Sequence, residues 1–459
     1  MKLQVFNSLT RQKEEFVPLR GKKIGLYTCG PTVYNFPHIG NLRTYIFEDI
    51  LKRALKKNGF MVKHVMNVTD VGHLVSDADE GEDKMESSAM AQQKTAGQIA
   101  NFYLKIFKAD IRKLNIKSPN TWCRATDHIR EQINFIKGLE EKGFTYRTSD
   151  GIYFDSSKIT DYGKLANLDL TGLKAGARVE ASIKKKNQTD FALWKFSPAN
   201  KKRQQEWKSP WGIGFPGWHI ECSAMSQKYL GETFDIHCGA IDLKPIHHTN
   251  EIAQSEALND APPARYWIHG EFLDLGDTKM SKSKGGFITL DDLIKKKYNP
   301  LAFRYLTFAT HYRTKMNFSF EALDSAQKTI DNIYKDISTW SRPSKGSAEY
   351  EDKFFSAVND DLNMPKAIAI MHDMINDPKL GTARKKRSIL KFDSILGLDF
   401  AKVRKQAIKI PRHIQKLAHD RQTLRVAGQY DQADIIRQQM EKIGYSVNDT
   451  AEGPTISRI

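Results

Sequence analysis

Cysteine is scarce in this sequence, and no long apolar run occurs. The 459 residues include four cysteines: Cys29, Cys123, Cys222 and Cys238. Four in so long a chain exclude the disulfide framework of small secreted proteins and leave core packing, metal binding or catalysis as their roles. No apolar run approaches the roughly 20 residues that span a bilayer, and residues 1–7 lack the apolar core of a signal peptide. We therefore expect a cytoplasmic protein without a membrane partner.

Acidic residues are also in deficit. The chain carries 71 Lys and Arg against 54 Asp and Glu, which gives a formal net charge of +17. An excess of this size favours a polyanionic partner, most simply nucleic acid. The length allows a large core and roughly three domains.

A strand–helix–strand pattern occupies the N-terminal region. Residues 23–28 form a short apolar strand that ends at the turn-rich Cys29-Gly30-Pro31. From Asn41 the apolar residues follow a helical period until Gly59, and residues 60–68 resemble a second strand. Because open parallel sheets bind ligands at the carboxyl ends of their strands, the turn at 38–41 is a predicted ligand site.

Two short motifs fit phosphate chemistry at that turn. They are His38-Ile39-Gly40-Asn41 and, much later, Lys279-Met280-Ser281-Lys282-Ser283. A helix N-terminus can bind phosphate through its free N–H groups, and a lysine loop can close over a leaving pyrophosphate. Each motif alone is weak. Together and in this order they resemble the paired ATP-binding signatures of class I aminoacyl-tRNA synthetases.

A third candidate is a metal site. His247 and Glu251 lie four residues apart in a predicted helix over 246–258, so they share one face. A nitrogen and an oxygen ligand placed in this way suit zinc, although such a pair is more often a surface hydrogen bond. Cys29 and Cys222 would complete a tetrahedron. Spacing alone leaves three rivals open: His237, Cys238 and His248.

Longer stretches extend the resemblance to the cysteinyl-tRNA synthetases over nearly the whole chain. They are residues 27–34, 67–70, 190–195, 209–212, 217–225, 234–237, 247–248, 250–255, 360–363 and 433–437. The resemblance implies zinc held by Cys29, Cys222, His247 and Glu251. It implies a cysteine pocket that includes Gly30, Thr69, Trp218 and His237. It also implies ATP binding by His38, Gly40, Asn41, Lys279, Ser281 and Lys282, with His38, Asn41, Lys279 and Lys282 as catalytic residues.

Some positions depart from the family pattern. Asn41 replaces the second histidine of the first motif, and because asparagine can still form a hydrogen bond we expect activity to be kept. Cys238 and Ala240 stand where glycines are usual, and Lys284 where an apolar residue is common. Cys238 would place a third thiol near the predicted zinc.

The implied reaction joins ATP and L-cysteine to cysteinyl-adenylate and then transfers cysteine to the 3′ end of tRNA(Cys). Zinc, with Mg²⁺ accompanying ATP, would be the metal requirement, and a monomer is the expected state. Two alternatives stay open: a related ligase that joins cysteine to an amino sugar, and a non-catalytic RNA-binding paralogue. A tail beyond residue 400 counts against the first, and the intact motifs count against the second.

The expected fold is α/β, a split Rossmann-type parallel-sheet domain with an insertion, then a helical bundle and a small C-terminal domain. The predicted ranges are 1–119 and 206–260 for the two sheet halves, 120–205 for the insertion, 261–315 for the connecting segment, 316–400 for the bundle and 401–459 for an anticodon-binding domain.

A single helix is predicted over 412–443. Its Arg421, Arg425 and Arg437 could either bind phosphates or keep the helix soluble. Trp194 is predicted to pack in a core.

Overall fold

The computed structural model describes residues 2–72, 84–168, 185–198, 203–275, 287–403, 410–450 and 453–458. Two compact units are present, Met1–Ala401 and Lys402–Ile459. The division falls one residue from the predicted start of the C-terminal domain. Within the described residues, no helix combines the length and the apolarity needed to cross a membrane.

A five-stranded parallel sheet forms the centre of the first unit. After the hairpin β1 (Gln4–Asn7) and β2 (Gln12–Glu15), the chain forms β3 (Lys23–Thr28), α1 (Ile39–Lys57), β4 (Met61–Val68), α2 (Lys84–Ala91), α3 (Ala96–Lys113) and β5 (Thr121–Arg124). Later strands β11 (Phe234–Ala240) and β12 (Ala264–Gly270) complete the order β12-β11-β3-β4-β5. The strand order reverses between β3 and β11, and ligands bind at such a point.

The insertion forms a second, antiparallel sheet. It contains α4 (Ile129–Glu141), β6 (Thr145–Arg147), β7 (Gly151–Phe154), β8 (Phe191–Phe196), β9 (Trp207–Ser209) and β10 (Gly212–Pro216). The strand order is β6-β7-β8-β10-β9. Trp194 is fully buried in this sheet's core, which confirms the packing role predicted for it.

Sheet membership differs from the predicted ranges at three boundaries. Strand β5, inside the predicted insertion 120–205, pairs with β4 in the parallel sheet. Strands β9 and β10, beyond residue 205, pair within the insertion sheet. Strand β12, beyond residue 260, belongs to the parallel sheet. Strands of three to seven residues carry too little periodicity to show which sheet they join.

The rest of the first unit is mainly helical. It contains α5 (Trp218–Leu230), a π-helical turn (Lys244–His248), α6 (Thr249–Asn259), β13 (Leu273–Asp274), α7 (Leu290–Lys295), α8 (Pro300–Thr307) and β14 (Met316–Asn317). The bundle helices are α9 (Phe320–Thr339), α10 (Ala348–Asn359), α11 (Met364–Asn376) and α12 (Thr382–Leu396).

A buried ionic cluster joins α1 to this bundle. The Asp49 carboxylate lies 2.7 Å from Arg53 Nε and 2.6 Å from Arg304 Nη2. Arg304 also donates to the Leu396 carbonyl at 2.6 Å, and Arg53 donates to the Ser394 carbonyl at 3.2 Å. Both carbonyls lie at the C-terminal end of α12, where the helix dipole favours cations.

The second unit contains α13 (Arg412–Val426), α14 (Tyr430–Lys442) and the hairpin β15 (Tyr445–Thr450) and β16 (Gly453–Arg458). The single helix predicted over 412–443 is therefore wrong. Gly428 separates the two helices at a φ of +77°, in the left-handed region that glycine tolerates. Arg421 is buried and forms a bidentate pair with Asp449, at 2.6 and 3.1 Å. This arginine therefore has a structural role in the unit.

Candidate active site

A cleft of about 370 Å³ opens at the carboxyl ends of the central strands. It is lined by residues from several elements, among them Cys29, Gly30, Thr69, His38, Asn41, Trp218 and His247. The cavity therefore contains five of the predicted cysteine and ATP residues, whereas His237 and Gly40 are not among the residues that line it. Lys279, Ser281 and Lys282 lie outside the described residues.

Four buried side chains converge at this cleft, and we call them its floor: Cys29 and His247 line the cleft, whereas Cys222 and Glu251 do not. The ligand atoms of Cys29, Cys222, His247 and Glu251 all lie within 4.8 Å of one another. Cys29 follows β3, Cys222 lies in the second turn of α5, and the π-helical turn carries His247 next to α6. His247 Nε2 is 3.1 Å from Glu251 Oε1, as the four-residue spacing predicted. The cluster is compatible with a metal site.

The charges of this cluster depend on one another. Burial raises the pKa of Cys222, but hydrogen bonds to Cys29 and His247 outweigh burial and bring the pKa to about 7. Burial lowers the pKa of His247, but Glu251 and Cys222 raise it to about 10. Burial raises the pKa of Glu251, whereas His237 and His247 lower it to about 2. The site therefore favours an ionised Cys222 sulfur and an ionised Glu251 carboxylate, whereas burial and the hydrogen bond with Cys222 raise the pKa of Cys29.

A second set of potential ligands overlaps the first. Cys29 and Glu251 also lie within 4.8 Å of His237 and His248. Cys29 Sγ is 3.2 Å from His248 Nε2, and His237 Nε2 is 2.9 Å from Glu251 Oε2. His237 and His248 are both buried, and the ring of Trp267 contacts each of them. Cys238, the third rival, belongs to neither set.

Position in the cleft favours the first set, since outer partners occur in both sets and His248 Nδ1 lies 2.8 Å from His269 Nε2. His219 Nδ1 lies 3.0 Å from His247 Nδ1, so the second ring nitrogen of His247 has a partner. Metal-bound histidines usually have such a partner, which fixes the ring orientation. His247 also lines the cleft beside Trp218, at 4.5 Å between ring centroids, so an ion held there would face a bound substrate.

Next to the cluster, Thr69 belongs to a hydrogen-bond chain. Asn67 Nδ2 donates to Thr69 Oγ1 at 3.0 Å, and Thr69 Oγ1 donates to Glu221 Oε2 at 3.0 Å. Asn67 Oδ1 accepts from the Gly30 amide at 2.7 Å. A Cβ atom at Gly30 would lie 1.8 Å from the Asn67 carbonyl oxygen, so this position requires glycine. The chain fixes the Thr69 hydroxyl, whose remaining lone pair can accept from a ligand.

The other end of the cleft is the N-terminus of α1. His38 is the N-cap, and its ring accepts a hydrogen bond from the Asn41 amide. Asn41 Oδ1 accepts from the His38 amide at 3.2 Å, which completes a capping box. Burial lowers the pKa of His38, which keeps the ring neutral and able to accept. Asparagine at 41 thus takes part in local structure that the sequence did not reveal.

The segments on either side of the second motif lie beside this helix end. The ring of Phe287 stacks on His38 at 5.0 Å and 12°, and the Ile39 amide donates to the Ile288 carbonyl. Before the motif, Arg43 of α1 donates to the Glu271 carbonyl at 2.8 Å. The described residues on both sides of the second motif therefore contact α1 close to the first motif.

Several residues of the site were not identified from sequence. His219 and Glu221 fall in a stretch that carried the resemblance, and Asn67 falls in another, but none of the three was assigned a role. The partners His247 of His219, Thr69 of Glu221 and Gly30 of Asn67 are distant in sequence, so no local spacing could have identified these contacts. Gly30, by contrast, was predicted, and it had a local sign because it sits in the turn after β3.

Comparison with known proteins agrees with this geometry. Residues 15–328 match the family model described as the tRNA synthetases class I (C) catalytic domain. The chain is 49% identical to cysteine–tRNA ligase 1 of Burkholderia lata over 99% of this chain and 96% of that protein. It is 40% identical to cysteine–tRNA ligase of Treponema denticola over the full length of both.

A solved structure shares the fold. Mycobacterium tuberculosis methionyl-tRNA synthetase in complex with methionyl-adenylate superposes with a TM-score of 0.58 at 14% identity, covering 83% of this chain and 93% of that one. At that identity the likeness concerns the fold alone. The family model and the relatives aligned over almost the whole length identify the family: the chain belongs to the cysteinyl-tRNA synthetases of class I.

Proposed function

We propose that the protein activates L-cysteine with ATP to cysteinyl-adenylate and pyrophosphate, and then transfers cysteine to the 3′ end of tRNA(Cys). The observation that carries this proposal is the single cleft in which a thiol-rich ligand cluster and a capped helix N-terminus meet. Relatives named cysteine–tRNA ligase, aligned over almost the whole chain, support the same reaction.

Zn²⁺ is the proposed metal, held by Cys29, Cys222, His247 and Glu251. Two sulfurs, an imidazole and a carboxylate suit zinc, and the four buried ligand atoms converge closely enough to share one ion. When bound, zinc offers a Lewis acid that favours a thiolate over an alcohol. Cys29, Gly30 and Trp218 line the cleft at this point and confine the substrate side chain.

Discrimination against serine is the reason to expect this metal. Translation requires a preference of about 10⁴–10⁵, which shape alone does not supply for two side chains that differ by one atom. That ratio corresponds to roughly 6–7 kcal/mol. Thr69 would accept a hydrogen bond from the substrate ammonium, because its own proton is directed to Glu221. His237 lies behind Glu251, and its proposed contribution is to orient that carboxylate.

The α1 end of the cleft is the proposed ATP site. The Gly40 N–H and the Asn41 side-chain amide would contact phosphate, because the Ile39 and Asn41 N–H groups already donate to the Ile288 carbonyl and the His38 ring. Neutral His38 would donate or accept a hydrogen bond without adding charge. Lys279, Ser281 and Lys282 would contact the departing pyrophosphate, with Mg²⁺ accompanying ATP. The second unit, 402–459, is the proposed anticodon reader, and a monomer is the proposed state.

Cysteine-dependent ATP–pyrophosphate exchange, followed by charging of purified tRNA(Cys), tests the proposal. Both activities should appear, and serine should support neither. Exchange with transfer of cysteine to an amino sugar instead of tRNA would indicate the alternative ligase. RNA binding without exchange would indicate the non-catalytic paralogue.

A further inference from the structure

Two phenylalanines near the mouth of the cleft are exposed, and at one of them helical periodicity predicts burial. Phe102 fits the apolar stripe of α3, yet 40% of it is accessible to solvent, while its neighbour Tyr103 is buried. Phe36, on the loop before the first motif, is 47% exposed. Single exposed apolar residues are ordinary, whereas adjacent exposed rings at a functional cleft indicate a contact surface.

The two rings are held in a fixed arrangement. Their centroids are 6.3 Å apart at an angle of 76°. Each also meets the ring of Tyr103 edge-on at 5.1 Å. Tyr103 in turn accepts a hydrogen bond from Gln92 Nε2 at 2.9 Å, which anchors the support. The pair is therefore preorganised, and a ligand that stacks on it would lose little of its binding energy to ordering these side chains.

Positive charge accompanies the rings. Lys94 Nζ lies 4.8 Å from the centroid of Phe102, and Lys94 is exposed. Aromatic rings beside a lysine form the usual arrangement for an unpaired nucleotide, because the base stacks and the phosphate meets the cation. Folded duplex RNA offers no free base face of this kind.

The position of Phe36 and Phe102 indicates which ligand they bind. Phe36 and Tyr103 line the same cleft as His38, so the pair lies at the entrance to the site where the adenylate would form. We propose that Phe36, Phe102 and Lys94 bind an unpaired nucleotide at the 3′ end of the tRNA and guide that end into the cleft. This inference rests on the proposed function and adds an RNA contact to it.

The test compares intact tRNA(Cys) with the same tRNA lacking its unpaired 3′ nucleotides. The wild-type protein should bind the intact tRNA at least about tenfold more tightly, since one stacked base contributes that much or more. Phe102→Ala should reduce this ratio about tenfold, and Phe102→Trp should retain it. Phe102→Leu, which keeps apolar volume, should lower the ratio as Phe102→Ala does and serves if the alanine variant does not fold.

A second lysine–phenylalanine pair provides the matched control. Lys57 Nζ lies 4.2 Å from the ring centroid of Phe355, which is not among the residues that line the cleft. Phe355→Ala should leave the ratio unchanged, and Lys94→Ala should lower it more than Lys57→Ala does.

Two results would overturn the inference. If Phe102→Ala and Phe102→Leu weaken the binding of the intact and the shortened tRNA equally, or the binding of neither, the rings do not contact the 3′ end. If instead the ratio is unchanged while the KM for ATP in pyrophosphate exchange rises tenfold, the rings bind the base of ATP. Absence of cysteine-dependent exchange in the wild-type protein would contradict the proposed function itself. This measurement therefore distinguishes failure of the proposed function from failure of the inference about the rings.

Discussion

The floor of the cleft is closed to solvent, whereas its mouth is open. Cys222 and Glu251 are each 1% exposed and have partners on several elements, but Phe287 beside His38 is 63% exposed. A buried cluster with many partners can select a substrate because its geometry is fixed before binding. An open end allows ATP, pyrophosphate and tRNA to enter and leave. Rigidity at one end and access at the other suit an enzyme that selects one small substrate and then exchanges larger ones.

Breaking the floor should have the largest effect. Cys222→Ser replaces a sulfur ligand with a poorer oxygen ligand, so bound zinc and cysteine activation should fall together. We expect a loss of more than about 100-fold, because changing only an outer partner costs 10–100-fold. Metal content and pyrophosphate exchange would be measured on the same preparation. Cys123→Ser, at a buried cysteine outside both ligand sets, is the control.

If full activation persists in Cys222→Ser without metal, the floor is only structural. The pocket would then have to reject serine by shape and hydrogen bonds. Zinc removal by a chelator should reproduce the loss in the wild-type protein, and added zinc should reverse it.

Among the residues proposed to bind ATP, Lys282 should have the largest effect. Its ammonium is proposed to stabilise charge that appears only as pyrophosphate leaves, so Lys282→Ala should slow adenylate formation by about 10²–10³-fold. Cysteine affinity should change little, since the ground state lacks that charge. Rapid-mixing measurement of adenylate formation decides this. Lys284→Ala, two residues on, is the control, and a normal rate with weakened cysteine binding would contradict the assignment.

A smaller change at the floor distinguishes the two ligand sets. His219→Ala removes the partner of His247, and His269→Ala removes the partner of His248, whose Nδ1 lies 2.8 Å from His269 Nε2. If zinc occupies the first set, His219→Ala should weaken zinc binding by about 10–100-fold, and His269→Ala much less. The opposite order, measured by competition with a zinc chelator, would place the ion among His237, His248 and their shared ligands.

The capping box at the mouth should have a modest effect on stability. Asn41→Ala removes one of its two hydrogen bonds and should lower the free energy of unfolding by about 1 kcal/mol. Gln98→Ala breaks the equivalent box at the start of α3. Both variants should be similarly destabilised in urea, but only Asn41→Ala should raise the KM for ATP. Equal KM values would show that Asn41 serves the helix alone.

The smallest effect concerns pH. Burial lowers the pKa of His38 below its ordinary 6.5, so the unfolded chain binds this proton more readily. Stability from the neutral ring is therefore complete above pH 6.5 and declines as the pH falls towards the lower folded-state pKa. NMR titration of the ring should give that value. An unshifted midpoint at 6.5 would contradict the burial argument.

Local sequence was informative wherever the structure depends on near neighbours. The strand 23–28, the helix that follows it and the pair His247/Glu251 all came from periodicity or spacing. Strand β9 has three residues, and its sequence does not show that it pairs in the insertion sheet instead of the parallel sheet. Arg421 illustrates the same limit, because its partner Asp449 lies 28 residues away on a hairpin. Tertiary contacts decide these cases.

The floor of the cleft shows the limit most clearly. Cys29 and Cys222 lie 193 residues apart in the sequence, and spacing left His237, His248 and Cys238 as rivals. Family resemblance supplied the ligand set that spacing could not. His219 was missed because its importance arises only from a ring that packs against it, 28 residues later in the chain.

The buried cluster of Asp49, Arg53 and Arg304 has a consequence for how this protein can change over generations. Removing one partner of a buried ion pair costs about 3–5 kcal/mol because the remaining charge is left uncompensated. Asp49 and Arg304 are both inaccessible to solvent and share one short contact. A lineage cannot alter either position singly without losing much of its stability margin. A substitution at this contact between α1 and α8 is therefore expected to persist only together with a second one that restores the balance of charge.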